Sequence, residues 1–370
     1  MKQHIPFAQL ELSKSSILHN FSTFRSRLKS STKLLAIIKA DAYGHGASDF
    51  AGVMEEAGAD YLGVAFPKLG IELRQKGIKL PILVLTAGQD DFEEMIRYDL
   101  EPGIPTLQAL ERICAVLRKQ GRKGYPIHIK LDTGMHRLGF MEHEVDSLIM
   151  ALKDAPEVEV KSIYSHLVAA EDPAEDEFSE GQFTLFEKMS GRIMEILPYK
   201  PLRHILNSAG IERFSGGHQY DMVRLGIGLY GVSAVDQSTL HPVAALRCPI
   251  LQVKELSSED GTVGYNRRGI LGPGKRRIAT IDIGYADGIN RHLGCGRASF
   301  EVGGVLVPTV GNICMDMCMI DITGTNAGVG DVVTIFGENP TVMQIADILD
   351  TIPYEVMTSV AARVKRVFVD

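Results

Sequence analysis

Short apolar runs alternate with amphipathic helical stretches from residue 34 to about residue 231, and this alternation limits the possible folds most strongly. Between the runs, apolar residues recur at helical spacing, for example over residues 105–121, 141–155 and 179–197. The apolar runs are LLAIIKA (34–40), DYLGVAF (60–66), PILVLT (81–86), a weak run near 97–104, IHIKLDT (127–133), VKSIYSHL (160–167), RHILNSA (203–209) and MVRLGIGLYG (222–231).

Eight strands with helical crossovers predict an α/β fold with a (β/α)8 TIM-type barrel, which usually needs about 250 residues. An open doubly wound sheet is the competing architecture. Eight strands without a second switch point favour the barrel.

The pattern changes after about residue 240. Short strand-like runs such as RRIATIDIGYADG and GDVVTIFG are broken by Gly, Pro, Asn and Asp, and helical patterns follow at 341–350 and 354–365. We therefore predict two domains: a barrel over residues 1–240 and a mostly β domain over residues 241–370.

Charge and cysteine usage exclude several classes of protein. The net charge of −7 disfavours nonspecific binding of nucleic acid through a basic surface. Five cysteines without paired spacing predict reduced thiols and a cytoplasmic location. Cys314 and Cys318 alone do not have the spacing of a zinc site, so we predict no metal. The chain has no signal-peptide core and no run of eighteen apolar residues, so no membrane span is expected.

Polar residues collect near the ends of the predicted barrel strands, where barrels place their functional groups. They come from five different runs, which indicates one shared pocket. These residues are Lys39, Arg137, His166, Asn207 with Ser208, and Arg224.

Lys39 ends the apolar run in LLAIIKADAYGHGA and is followed by a glycine-rich loop. A lysine at a barrel rim can simply extend its ammonium group into water. The apolar strand before it favours a desolvated amine instead, whose lowered pKa suits a nucleophile or a Schiff base. A Schiff-base lysine suggests pyridoxal 5'-phosphate, which stabilises carbanions.

RLGIGLYG contains a G-x-G-x-x-G pattern at Gly226, Gly228 and Gly231. It is a weak dinucleotide signal, because no helix opens after it and no ribose-binding acid follows about twenty residues on. Small residues here would let backbone amides approach a phosphate, and Ser208 could add a hydroxyl. Tight packing by glycine is an equal alternative.

AIIKADAYGHGA resembles the cofactor-lysine motif of the alanine racemases, pyridoxal-phosphate enzymes with a barrel and a C-terminal β domain. Further motifs occur in that family's order, so the resemblance covers nearly the whole chain. They are KLDTGMHRLGF, YSHL, HILNSAG, RLGIGLYG, VGYN, DIGYADG and GNICMDM.

The resemblance implies a role for each matching residue. Lys39 would bind the cofactor covalently, Arg224 would face its pyridine nitrogen, and Arg137 would lie near the substrate carboxylate. Lys130 matches a position that is carbamylated in some members, although an ordinary strand lysine is an equal alternative. The phosphate would contact Tyr43, Ser208, Gly226, Ile227 and Tyr354. Further cofactor or supporting contacts would come from His166, Asn207 and His204. The partner subunit of a homodimer would contribute Tyr265, Tyr285 and Met315.

The chemistry of racemisation agrees with these roles. One base must remove the Cα proton on one face and another must return a proton on the other, and Lys39 and Tyr265 can be these two. A phenol, with a pKa near ~10, needs neighbours that favour its anion, and a chain from Tyr265 through His166 to Arg224 would supply them. Because guanidinium keeps its protons, Arg224 would leave the pyridine nitrogen unprotonated and weaken the electron sink, which suits a racemase. The implied activity is exchange of L- and D-alanine, supplying D-alanine for peptidoglycan.

Asn266, Arg267 and Arg268 stand where many family members have glycine and an aromatic residue, which leaves substrate breadth open. A racemase for serine or basic amino acids is therefore an alternative. A decarboxylase on the same architecture is another, but it would need a carboxylate at the pyridine nitrogen and a triple-glycine loop. A non-catalytic cofactor carrier is the third, although such relatives resemble the barrel alone.

Overall fold

The structure is a computed structural model that describes residues 5–86 and 91–370. The chain divides into two compact units. The barrel unit comprises the described residues of Leu18–Ala42 and Ala47–Leu240, and the sheet unit comprises those of Met1–Ile17, Tyr43–Gly46 and His241–Asp370. The sheet unit thus includes two segments from the first 46 residues, which the sequence did not predict.

Strands alternate with helices in the first part of the described chain and dominate the second part. The strands are β1 (Gln9–Leu12), β2 (Lys33–Ile37), β3 (Tyr61–Val64), β4 (Ile82–Val84), β5 (Glu101–Ile104), β6 (Tyr125–Lys130), β7 (Val158–Tyr164), β8 (Leu202–His204), β9 (Met222–Leu225), β10 (Ala244–Leu256), β11 (Thr262–Val263), β12 (Gly269–Ile270), β13 (Arg276–Ile281), β14 (Ser299–Val302), β15 (Val305–Pro308), β16 (Cys318–Asp321), β17 (Val332–Phe336) and β18 (Lys365–Phe368).

The helices are α1 (Lys14–Ser26), α2 (Lys39–Tyr43), α3 (Ala47–Ala57), α4 (Pro67–Gln75), α5 (Phe92–Arg97), α6 (Leu107–Lys119), α7 (Val145–Lys153), α8 (Asp176–Met194), α9 (Ser208–His218), α10 (Val342–Ile348) and α11 (Pro353–Ser359). The periodic stretches at 105–121, 141–155 and 179–197 correspond to α6, α7 and α8. Across the described ranges, no helix is both long enough and apolar enough to cross a membrane.

The barrel unit contains eight parallel strands in the order β8-β7-β6-β5-β4-β3-β2-β9. The two ends of this series meet, because the Arg224 N–H donates to the Leu206 carbonyl (3.0 Å) and the Asp221 N–H donates to the Arg203 carbonyl (3.1 Å). All eight predicted runs contain or overlap a strand of this sheet. The predicted barrel is therefore confirmed, and the open doubly wound sheet is excluded.

Alternate residues of these strands point into the barrel. The ring of Tyr61 on β3 meets that of His128 on β6 edge-on, with centroids 6.1 Å apart, and strands three places apart can touch this way only through the interior. Gly103 on β5 leaves room for Tyr164 on β7, because a Cβ at Gly103 would lie 2.5 Å from the Tyr164 hydroxyl.

The sheet unit is built on the long strand β10. Its sheet has the order β15-β14-β17-β10-β1-β18, and β13 pairs with both β10 and β16. Strand β1 runs antiparallel to β10 and parallel to β18. The mostly β character predicted for the second domain is confirmed. The sequence did not indicate β1, because four residues carry little periodicity and their partners are distant in the chain.

The helix predicted over residues 354–365 was wrong in its length, because α11 ends at Ser359. Val360 adopts an extended conformation, and the Ala361 N–H donates to the Asp287 carbonyl (3.0 Å). Arg363 then forms ion pairs with Asp287 (2.7 Å) and Asp316 (2.8 Å). These distant contacts replace the last turns of the helix.

We predict that Gly103→Ala lowers the free energy of unfolding by about 1–3 kcal/mol, because the new methyl group would overpack the barrel against Tyr164. Gly181→Ala on the exposed face of α8 is the control, since a Cβ there would have no atom within 4 Å and alanine favours helices. Urea unfolding followed by circular dichroism measures both. Equal stability of the two variants would contradict the packing assigned to Gly103.

Candidate active site

Lys39 lies just beyond the carboxyl end of β2 and begins an unusual turn. Residues 40–43 all have φ between 51° and 54°, a left-handed conformation that costs non-glycine residues about 1–2 kcal/mol each. The Ala42 N–H donates to the Ile38 carbonyl (3.0 Å), and the Asp41 carboxylate accepts from the Ala47 N–H (2.7 Å). These hydrogen bonds help to hold the backbone in this turn directly after Lys39.

The Lys39 amine lies in a cationic, partly desolvated environment. Burial lowers its pKa, and the positive charges of Arg137 and Arg224 lower it further. Lys130 shares this environment, and burial followed by the charges of Arg224 and Arg137 lowers its pKa to about 8. The lowered pKa increases the fraction of neutral, nucleophilic amine at Lys39 near neutral pH.

Arg224 on β9 is buried, and its guanidinium donates hydrogen bonds to neutral acceptors. Its Nη1 donates to His204 Nδ1 (2.9 Å) and to the His204 carbonyl (3.2 Å), and its Nη2 donates to His166 Nδ1 (3.1 Å). Nη2 also donates to the carbonyls of Ser165 and Ile205. No carboxylate among the described residues pairs with it, and burial lowers its pKa to about 10.

The contacts with Arg224 fix the tautomers of the two histidines. A guanidinium group only donates hydrogen bonds, so Nδ1 must be the unprotonated nitrogen in both His166 and His204. Burial, followed by the charge of Arg224, lowers both pKa values well below the usual histidine range. Both rings are therefore neutral and carry their proton on Nε2.

Tyr164 is a member of this cluster that the sequence did not reveal. Its ring stacks on His204 with centroids 5.1 Å apart, and Arg224 Cζ and Lys130 Nζ lie 5.5 and 5.1 Å from its centroid. These cation–π contacts help to compensate the buried charges. The available signal was strand alternation, which places Tyr164 on the same face as His166.

The amino end of α9 and the loop at residues 226–228 bring hydroxyl and amide groups together. Asn207 caps α9 by accepting from the Gly210 N–H (2.9 Å). Ser208 Oγ accepts from the N–H groups of Gly226 (3.0 Å) and Gly228 (3.3 Å). Because both lone pairs of Ser208 are then used, its O–H proton is directed away from the loop and can donate to an anion. Ile227 lies in the same loop.

Arg137 is exposed on a loop that returns to the barrel wall. The Phe140 N–H donates to the Lys130 carbonyl and the Asp132 N–H donates to the Phe140 carbonyl, both at 2.9 Å. The Asp132 carboxylate accepts from the N–H groups of Gly134 and His136, both at 3.0 Å. The loop thus keeps Arg137 close enough to lower the pKa of Lys39.

In the sheet unit, Tyr43 and Tyr354 form a pair with ring centroids 5.7 Å apart. Burial, followed by the influence of Tyr354, raises the pKa of Tyr43, so its phenol stays protonated and can donate a hydrogen bond. Gly44 is required here, because its φ is +84° and a Cβ would lie 2.4 Å from the Met357 carbonyl oxygen of α11.

Tyr265, Tyr285 and Met315 are connected through one loop of the sheet unit. Asn312 Nδ2 donates to the Tyr265 carbonyl (3.0 Å), and the Tyr285 N–H donates to the Cys314 carbonyl (3.0 Å). Their exposed fractions are 68% for Tyr265, 43% for Tyr285 and 54% for Met315. All three side chains are thus accessible from outside the single chain.

The predicted site residues therefore fall into three groups, each within one unit. The barrel unit holds Lys39, Lys130, Arg137, His166, His204, Asn207, Ser208, Arg224, Gly226 and Ile227; the sheet unit holds the pair Tyr43 and Tyr354, and the exposed group Tyr265, Tyr285 and Met315.

The family models for the N-terminal and C-terminal domains of alanine racemase match residues 12–234 and 243–368. The chain belongs to the alanine racemase family. An alanine racemase of Clostridium kluyveri is 34% identical over 97% of this chain and 93% of its own length.

Solved structures agree with this family assignment. An alanine racemase of Clostridium difficile 630 superimposes with a TM-score of 0.91 at 32% identity, over 100% of this chain and 98% of its own. A complex of alanine racemase from the same organism with cycloserine gives a TM-score of 0.87 at 32% identity, over 98% of this chain and 95% of its own.

We predict that Lys39 reacts with an amine-directed reagent at lower pH than the exposed Lys68, because its lowered pKa leaves it neutral at lower pH. Peptide mapping after labelling across a pH series, in protein freed of bound small molecules, measures both midpoints. Arg137→Gln should move the Lys39 midpoint upward by removing one cation. An unchanged midpoint in that variant would contradict the electrostatic influence of Arg137.

Proposed function

We propose that this chain is a pyridoxal-phosphate-dependent alanine racemase, an isomerase that interconverts L-alanine and D-alanine. The observation that carries the proposal is the combination of a lysine with a lowered pKa and a buried arginine held by two neutral histidines. Family membership and relatives named alanine racemase support the same substrate.

The residues of the barrel unit fit pyridoxal phosphate. Lys39 offers a neutral amine for its aldehyde, and Ser208 with the loop at Gly226 and Ile227 offers hydroxyl and amide donors for its phosphate. Asn207 positions this phosphate site by capping α9. Within the sheet unit, the pair of Tyr43 and Tyr354 also presents phenol donors of the kind that bind phosphate. When bound, the cofactor supplies an electron sink that makes the Cα proton of alanine acidic.

Arg224 would face the pyridine nitrogen of the cofactor. Its guanidinium retains its protons at physiological pH even with a pKa near 10, so it donates a hydrogen bond without transferring the proton. A carboxylate at this position would instead hold a proton on the nitrogen. His166 and His204 keep the guanidinium in place by accepting its N–H groups.

Two residues of the chain would move the proton. Lys39, as a neutral amine, can take the Cα proton on one face of the substrate, and Tyr265 can return a proton on the other. Arg137 would bind the substrate carboxylate, and Lys130 would support Arg137 either as an amine or after carbamylation. The neutral His166 carries its proton on Nε2, where it can stabilise a phenolate.

We further propose a homodimer in which Tyr265, Tyr285 and Met315 complete the site of the partner subunit. Their exposure in the single chain supports this arrangement, because a second subunit would cover them. The unpaired state of all five cysteines supports action in the cytoplasm, and the product D-alanine would serve peptidoglycan synthesis.

The direct test of this function combines absorbance, labelling and activity. We expect borohydride reduction and peptide mapping to place a pyridoxyl label on Lys39, a desolvated amine just beyond the carboxyl end of β2. Lys39→Ala should lose the label and racemisation, whereas the exposed control Lys68→Ala should keep both. Tyr265→Phe should retain the cofactor absorbance but lose most turnover in at least one direction. A label on another lysine, or normal rates both ways in Tyr265→Phe, would refute these assignments.

Mixing two inactive variants tests the shared site. If Tyr265 acts in the partner's site, dimers that combine a Lys39→Ala subunit with a Tyr265→Phe subunit contain one intact site. After subunit exchange, an equal mixture should recover about one quarter of the wild-type activity, since about half of the dimers are mixed. Each variant alone is the control. No recovery despite verified exchange would mean that Tyr265 acts within its own chain.

A further inference from the structure

A chain of buried polar side chains continues from His204 away from the site described above. His204 Nε2 lies 2.8 Å from Ser162 Oγ, which lies 2.6 Å from His128 Nδ1. His128 Nε2 in turn lies 2.7 Å from the carboxylate of Glu101. One residue comes from each of four neighbouring strands, β5 to β8, and Arg224 on β9 completes the series.

The direction of every hydrogen bond in this series follows from its donors. Because Arg224 donates to His204 Nδ1, the neutral His204 carries its proton on Nε2 and donates to Ser162. With a neutral His128 whose Nε2 faces the Glu101 carboxylate, the single proton of Ser162 is directed to His128 Nδ1. His128 therefore carries its proton on Nε2 and donates to Glu101. All four links point from the guanidinium towards the carboxylate.

The burial of this series argues for a role beyond packing. His128, Ser162 and His204 are each 0% exposed, and the Glu101 side chain is 13% exposed. Buried polar groups need partners to offset their desolvation, and apolar side chains would fill a barrel interior without that cost. Glu101 also lies close enough to Tyr61 to raise the pKa of its phenol, after the larger effect of burial.

We propose that Glu101, His128 and Ser162 are positioning residues that orient His204 and, through it, hold Arg224 in the geometry used for racemisation. The inference rests on the proposed function, in which Arg224 faces the pyridine nitrogen. The series also connects Arg224, which pairs directly with no carboxylate in the described part of the chain, to the negative charge of Glu101. Hydrogen bonds aligned in one direction polarise one another, which strengthens each link.

Ser162→Ala removes the central link without adding volume. We expect the holoenzyme to lose about tenfold or more in kcat, with a smaller change in the KM for alanine, because the buried nitrogens of His204 and His128 lose their partner. Ser179→Ala is the matched control, since Ser179 is also 0% exposed and its hydroxyl has no hydrogen-bond partner in the described structure. Equal kcat in the two variants would overturn the proposal.

Nuclear magnetic resonance of histidine-labelled (15N) holoenzyme gives a readout that does not depend on activity. We expect His204 and His128 to be protonated on Nε2 and unprotonated on Nδ1. A doubly protonated His128, or the opposite tautomer in either ring, would overturn the proposed series of hydrogen bonds from Arg224 to Glu101.

Glu101→Gln tests transmission along the series, because it removes the charge but keeps an acceptor for His128. We expect Glu101→Gln to shift the His204 Nε2–H signal, although the two residues lie on β5 and β8. In a Ser162→Ala background, Glu101→Gln should leave this signal unchanged. If the His204 signal does not shift in Glu101→Gln, Glu101 affects only its neighbour His128. That result would refute transmission along the series.

These measurements separate the two proposals. If the wild-type holoenzyme does not racemise alanine, the proposed function fails. The histidine signals still show whether the hydrogen bonds from Arg224 to Glu101 form the proposed series. If Ser162→Ala does not fold, Glu101→Gln alone decides, through the presence or absence of the His204 shift.

Discussion

The site depends on one buried cation that has no directly paired carboxylate within residues 5–86 and 91–370. Arg224 is surrounded by two neutral histidine rings, backbone carbonyls and the face of Tyr164. A carboxylate beside it would form a tighter ion pair, but it would also satisfy the guanidinium and draw its donors away from a ligand. The histidines orient the same group and leave it fully charged. The tautomers, the position of Tyr164 and the acceptor geometry all follow from this arrangement.

The barrel supplies this arrangement because neighbouring parallel strands present alternate residues to a common interior. A residue on one strand reaches its counterpart on the next without any loop, so the series from Glu101 to Arg224 rests on the most regular part of the fold. The hydroxyl and amide donors near Ser208 are positioned differently, by a capped helix start beside a glycine loop. The two kinds of support meet at the ends of β8 and β9.

The sequence predicts the barrel strands, the mostly β second domain and the cationic groups at the strand ends, because apolar runs and the residues that end them are local features. It does not predict β1, whose partners lie at both ends of the second domain. It also does not reveal Tyr164, His128 and Ser162. From the sequence alone, a polar strand residue that bonds a side chain on the next strand cannot be distinguished from one that does not. Only the register between strands brings them together.

The left-handed turn after Lys39 has a consequence for how this segment can vary. Side chains branched at Cβ are poorly tolerated at positive φ, so the positions that follow the lysine accept chiefly small residues or those whose side chains bond the local backbone, as Asp41 does. The left-handed backbone thus restricts which residues can occupy positions 40–43, even where no side chain contacts a ligand. Valine or isoleucine in place of Ala40 or Ala42 would therefore strain the backbone directly after Lys39, although neither position contributes a reacting atom.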